Sequence, residues 1–181
     1  LAERLKKDLV IEGENEVILA DTSIKLQQKL HQIYSGTCKF ESGNRTVLDP
    51  SKAEHIANKW KGQKIAIFYK FVAELDAIKS VYGDNITTDL DEFNATGKSY
   101  AGQIVSSREG VNLSKADVLV FYNIDFSAVS YFQARDRLTT KERPENNVYW
   151  IFSKRGIESA IYKAVSKKKD FTLAVFKQFI K

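Results

Sequence analysis

The 181-residue sequence has no methionine, one cysteine (Cys38) and two histidines (His31 and His55). A lone cysteine excludes an internal disulfide, and two histidines beside it are too few for a zinc site. A reducing, cytosolic setting is the expectation that follows. Long apolar runs are also missing. VLVFY at 118–122 is among the longest and is far too short to cross a bilayer. The opening LAERLKKDLV lacks the apolar stretch and the small-residue cleavage site of a secretory signal. With leucine at position 1 and methionine nowhere, a segment of a longer protein is expected. Neither an internal repeat nor a low-complexity segment is present.

Hydrophobic residues make up 43% of the chain, enough for a core and too many for wholesale disorder. The length suits one α/β domain with a small appendage. The net charge of +5 is unevenly spread. Residues 154–181 carry eight Lys or Arg against Glu158 and Asp170, a net of +6, which leaves −1 for the rest. Such a basic face can follow a phosphate backbone. A lysine-rich terminal helix facing only solvent has the same composition.

Periodicity divides the chain. Leu9–Ile11 and Val17–Leu19 flank GENE and predict a β-hairpin. Thr22 or Ser23 can cap a helix with Ile24, Leu26, Leu30 and Ile33 at helical spacing, ended by Gly36. Residues 36–48 look like a loop, and Asp49-Pro50 opens a helix that runs to about Trp60. From Lys64 an α/β pattern begins. KIAIFY (64–69), GQIVSS (102–107), DVLVFYN (117–123) and NVYWIFS (147–153) read as strands. Helices fall between them: one with Val72, Leu75, Ile78 and Val81 on a face, a short one after a Thr88–Asp91 capping box, and one between Ser127 and Leu138. A helical tail from Gly156 breaks near Asp170. Trp60, Trp150 and Phe152 are assigned to the core. Nearly continuous apolar strands alternating with helices predict a parallel sheet covered on both faces.

Gly97-Lys98-Ser99 imitates the end of a phosphate-binding P-loop. The full pattern requires a glycine five residues before Gly97, where Glu92 stands, and a carboxylate there repels phosphate. The preceding DLDEFNA also reads as helix, whereas a P-loop follows a strand. A small P-loop kinase is therefore not the reading taken.

The informative stretch is 106–168. It holds Gly110-Val111-Asn112-Leu113, Ala116-Asp117, the strand Val118–Tyr122, Gln133-Ala134-Arg135-Asp136-Arg137, and Gly156-Ile157-Glu158 followed by Ile161-Tyr162 and Lys167–Lys169. Upstream lie LHQIYSG (30–36), SKAEHI (51–56) and KIAIFYKF (64–71). In this order the segments resemble the carboxy-terminal lobe of superfamily-two, Snf-type helicases, especially the shorter phage- and prophage-encoded members, over nearly the whole chain.

The resemblance implies a RecA-like α/β fold without its own P-loop. It divides the chain into a hairpin and helical lead-in (1–45), a RecA-like lobe (46–155) and a basic helical tail (156–181). It also implies half of an ATP cleft, with magnesium held mainly by an amino-terminal RecA-like partner lobe of the same parent, and part of a groove for DNA, with RNA also open. Arg137 matches the first motif VI arginine, the cation that meets the γ-phosphate as charge shifts in the transition state. A surface salt bridge to Asp136, Glu142 or Glu145 is its alternative. The usual second arginine is replaced by Thr140, so the second cation passes to Arg143, with Lys141 beside it. Gln133 couples nucleotide contacts to lobe closure in that scheme, and Gly110 and Asn112 are placed at the nucleotide. Ser106, Ser107, Arg108, Lys70, Phe71 and Lys167–Lys169 are placed at the nucleic acid. Asn112 can instead bond its own loop backbone, and Phe71 can be core. The other function class open to this sequence is a non-catalytic nucleic-acid- or partner-binding module that kept the fold.

Overall fold

In the computed structural model the described residues are 1–105, 111–135 and 147–180. Helix α1 (Ala2–Asp8) leads into the hairpin β1 (Val10–Glu12) and β2 (Val17–Leu19), then α2 (Ser23–Tyr34), capped by the Thr22 hydroxyl, which accepts from Lys25 N. A second hairpin follows, β3 (Thr37–Lys39) and β4 (Arg45–Val47), then α3 (Ser51–Lys59). The α/β part comprises β5 (Ile65–Tyr69), α4 (Val72–Tyr82), β6 (Ile86–Thr87), α5 (Leu90–Ala95), β7 (Ser99–Gln103), β8 (Val118–Phe121), α6 (Ala128–Arg135) and β9 (Val148–Trp150). Helices α7 (Ile157–Val165) and α8 (Leu173–Phe179) close the chain.

The sheet order is β6-β7-β5-β8-β9, with every neighbouring pair parallel. Strand β5 sits at its centre and is buried along its whole length. Alternation assigns its residues to two cores. Ala66 and Phe68 pack with Phe93, Tyr100, Leu119 and Phe121. Ile65, Ile67 and Tyr69 pack with Trp60, Ile78, Val120 and Tyr122. A third core joins the two ends of the chain: Leu5, Ile11, Ile18, Leu26 and Leu30 meet Ile157, Ile161, Val165, Phe171 and Phe176. Lead-in and tail therefore form one layer beside the β8–α6 segment, to which Ile124, Ala128 and Tyr131 belong.

Several expectations change. The 36–48 stretch is a hairpin, stabilised by its cross-strand pairs, and only its Phe40–Asn44 tip is irregular. Strand β7 begins three residues before GQIVSS, because Ser99 and Tyr100 pair with β6 and β5. Asp89 caps α5 by accepting from Glu92 N, which displaces the Thr88–Asp91 pair. Ile24 and Val72 lie outside the buried stripes of their helices; α4 buries Ala73, Glu74, Ala77 and Ile78 instead. Trp60 is buried, whereas Trp150 and Phe152 are half-buried at the edge of the core. Gly36 has φ +84°, and a Cβ there would stand 2.2 Å from the Asp49 carbonyl oxygen, so the end of α2 requires glycine. Among the described residues no helix is long and apolar enough to cross a membrane.

Candidate functional site

In open parallel sheets, ligands meet the carboxyl ends of the strands. Here those ends are the residues after β5, β7 and β8. Lys70 and Phe71 leave β5 and enter α4. Lys70 Nζ pairs with Asp125 Oδ1 at 2.5 Å, with both side chains 17% exposed, and lies 4.7 Å over the Phe126 ring. Lys70 is thus held by the β8–α6 segment. Burial works against the Asp125 carboxylate, but the Lys70 charge and hydrogen bond hold its pKa below the usual range. Phe71 is half-buried and meets the His31 ring edge-on at 5.2 Å, while Phe126 stacks on His31 at 5.0 Å.

Beneath this turn runs a buried polar chain. Glu74 Oε2 accepts the backbone N–H of Lys70 at 2.7 Å and of Phe71 at 3.0 Å. Its Oε1 accepts from Asn123 Nδ2, and Asn123 Oδ1 accepts from Ile124 N at 2.7 Å and from His31 Nε2. Because the Asn123 amide nitrogen faces a carboxylate, its oxygen must face His31, so His31 carries its proton on Nε2. His31 Nδ1 is buried without a hydrogen-bond partner, which suits an unprotonated nitrogen. Burial, then the Lys70 charge, pushes the His31 pKa well below its ordinary value, against the pull of the Asn123 bond. Burial likewise raises Glu74, opposed by Lys52 and by its three hydrogen bonds.

A second buried pair lies nearby. Lys52 Nζ donates to Glu158 Oε1 at 2.9 Å and to the Tyr122 carbonyl at 3.2 Å. Lys52 belongs to SKAEHI and Glu158 to the Gly-Ile-Glu segment, so two motifs far apart in sequence meet as one ion pair. A Cβ on Gly156 would stand 2.0 Å from Glu158 Oε2 and 3.0 Å from the Ser153 carbonyl oxygen.

The other candidates are distributed as follows. Asn112 is exposed and its Oδ1 accepts from Ser114 N at 3.0 Å, the local backbone bond open to it from the sequence. Gln133 is exposed on α6. Lys167, Lys168 and Lys169 are exposed in the turn between α7 and α8. That turn is fastened to the start of α6, since Asp170 Oδ1 accepts from Ala128 N at 2.8 Å and Phe171 N donates to the Phe126 carbonyl at 2.8 Å. Ser106, Ser107, Arg108, Gly110, Arg137, Lys141 and Arg143 lie outside the described residues. A cleft of about 270 Å³ opens between the β3–β4 hairpin and the start of α4, lined by Gln32, Lys39, Arg45, Lys70, Phe71 and Gln103 among others. Gly97-Lys98-Ser99 joins a helix to a strand, the reverse of a P-loop, with Lys98 Nζ on Glu92 and the Ser99 hydroxyl accepting from Ile65 N. No group of three His, Cys, Asp or Glu that could hold a metal ion occurs among the described residues.

Periodicity passed over Glu74, Asn123, His31, Asp125 and Asp170. The one available signal was polarity out of place: asparagine directly after VLVFY, and glutamate within VAELDAI.

No protein-family model matches the chain. It is 26% identical over 127 residues to the chromodomain-helicase-DNA-binding protein 1 of Homo sapiens and to that of Gallus gallus, a match covering 60% of this chain and 7% of each of those proteins. It is 33% identical over 84 residues to helicase ssl-1 of Caenorhabditis elegans, covering 44% of this chain and 4% of that protein. The chain thus spans less than a tenth of these helicases. Among solved structures, the crystal structure of the C-terminal part of the Fun30 ATPase domain superposes with a TM-score of 0.52 at 20% identity, covering 71% of this chain and 47% of that one. The parallel sheet, its flanking helices and this likeness make the fold RecA-like α/β.

Proposed function

We propose that this chain is the carboxy-terminal motor lobe of an ATP-dependent, Snf-type DNA helicase or translocase. In this reading it works against an amino-terminal RecA-like lobe that carries the P-loop and the carboxylates for magnesium. One observation carries the reading. The described parts of the segments singled out in sequence leave neighbouring strands of one parallel sheet at the same end: Lys70–Phe71 after β5, 104–105 after β7, and 122–135 after β8. That end is where the fold meets ligands. Similarity to helicases over 60% of the chain supports the class. The phage-type branch rests on the sequence resemblance, with Arg143 six positions after Arg137.

Arg137 and Arg143 are assigned to the γ-phosphate, where arginine offers a permanently charged, planar fork of donors. Gln133 relays lobe closure. Lys70, Phe71, Ser106, Ser107, Arg108 and the tail lysines are assigned to nucleic-acid contact, with duplex DNA the favoured partner. The phosphate cradle falls to the other lobe, because Gly97-Lys98-Ser99 has the wrong topology here.

The test is ATP hydrolysis by the full-length parent with and without duplex DNA. Arg137→Ala lowers stimulated turnover on the order of 10³-fold with ATP affinity nearly intact, as expected of a group acting in the transition state. Arg137→Lys rescues little, and Arg143→Ala resembles Arg137→Ala. Lys98→Ala leaves turnover unchanged. A severe Lys141→Ala beside a healthy Arg143→Ala moves the second cation to Lys141. A parent that hydrolyses no ATP in either condition favours the non-catalytic binding module.

A further inference from the structure

Glu74, Asn123 and His31 are buried polar groups that none of the motif roles uses. As packing elements they are a poor choice. Desolvating a carboxyl, an amide and an imidazole together opposes folding, and apolar groups of similar volume fill such space at no polar cost. What a fully connected polar chain adds is a single arrangement of the segments it joins. Here those segments are the β5–α4 turn, the β8–α6 segment and α2.

The tie is double. Glu74 fixes the backbone amides of Lys70 and Phe71 and reaches Asn123, while the Lys70 side chain reaches Asp125, two residues further along. Resting on the motor reading above, we infer that the Glu74–Asn123–His31 chain is a positioning device. It couples the nucleic-acid-facing turn at Lys70–Phe71 to the segment leading into α6 and Gln133. A nucleic-acid phosphate competes with Asp125 for Lys70. The displaced turn then moves 123–126 with it, because Glu74 and Asn123 hold the two strand ends together.

The experiment uses the full-length parent, measuring ATP turnover without DNA and at saturating duplex DNA, together with the melting temperature. Asn123→Ala should cut stimulation at saturating DNA by about tenfold, within the usual range of site-to-site coupling, and leave the DNA-free rate within about twofold. His31→Phe keeps a ring against Phe71 and Phe126 but donates nothing, and should behave like Asn123→Ala in a folded protein. His31→Gln restores a donor to Asn123 and should restore stimulation. Full stimulation in both Asn123→Ala and His31→Phe overturns the inference. So does an equal fall in the DNA-free and stimulated rates, which marks a merely structural chain. A wild-type parent with no hydrolysis removes the motor reading itself, and the coupling with it, an outcome distinct from an active wild type with indifferent variants.

Discussion

At the scale of single residues, His31 gives the clearest quantitative consequence. Burial and the nearby Lys70 and Lys52 charges keep the imidazole neutral in the folded state, while Asp125 and the bond to Asn123 pull the other way and lose. The unfolded chain takes up a proton near the ordinary value of about 6.5, and the folded one does so only well below it. Stability is therefore unaffected by His31 above about pH 7 and falls as pH drops, by at most about 1.4 kcal/mol per pH unit for one proton. Glu74 acts with the opposite sign. Its carboxyl is raised in the fold, so it gains its proton earlier than in the unfolded chain as pH falls. Comparing wild type with His31→Gln cancels that share. The difference in urea-unfolding free energy should be flat from pH 8 to 7 and should then move steadily against the wild type toward pH 5. A difference independent of pH would mean that His31 is not held neutral. Polar residues of this kind were not legible as a network in the sequence. Asn123 and Glu74 each stand out locally, but only the fold shows that their partners come from α2 and the β5–α4 turn.

At the scale of elements, the strands that read most clearly are those buried on both faces. KIAIFY and DVLVFYN are continuous apolar runs because β5 and β8 sit at the middle of a covered parallel sheet. Strand β7 has Ser99 and Gly102 in place of branched apolar residues, and its pairing with β5 is set by register, which no local pattern encodes. Strand β6 is two residues long and the β3–β4 hairpin three residues a side, too short for any periodicity. Helix α1 buries only Leu5, so its apolar stripe is invisible in LAERLKKDLV. The joints between elements were equally hidden. Lys52 of α3 and Glu158 of α7 are 6% and 0% exposed, and their ion pair fixes the tail layer to the sheet layer. Removing one partner leaves the other charge buried and unpaired. Lys52→Met should therefore destabilise the chain by about 3–5 kcal/mol, and the double variant Lys52→Met/Glu158→Leu should recover most of that loss. Chemical denaturation of the wild type, Lys52→Met, Glu158→Leu and the double variant measures the coupling. A double variant as unstable as the sum of its singles would show that the two side chains do not act as a pair.

At the scale of the whole molecule, the question is whether the basic end of the chain faces a nucleic acid or only water. Composition alone favours water, since a lysine-rich terminal helix is more often a solvated face. The structure adds position: the lysine turn is fastened through Asp170 to the start of α6, on the segment that also holds Lys70 through Asp125. On the motor reading proposed above, the three exposed lysines of that anchored turn would meet the same phosphate backbone as Lys70. Binding of this type releases counterions, so affinity falls with salt at a log–log slope of about −0.9 for each neutralised phosphate of duplex DNA. The chain should bind DNA weakly and without sequence preference, and the slope should flatten by about 0.9 for each of Lys167, Lys168 and Lys169 that touches a phosphate when all three are replaced by alanine. Asp170→Ala, which keeps every lysine but releases the turn from Ala128 N, should weaken binding while leaving more of the slope intact. Fluorescence anisotropy across a salt series separates these outcomes. An unchanged slope in the triple variant would place the lysines on a face that meets only solvent and leave Lys70 and the β7 strand end as the nucleic-acid surface.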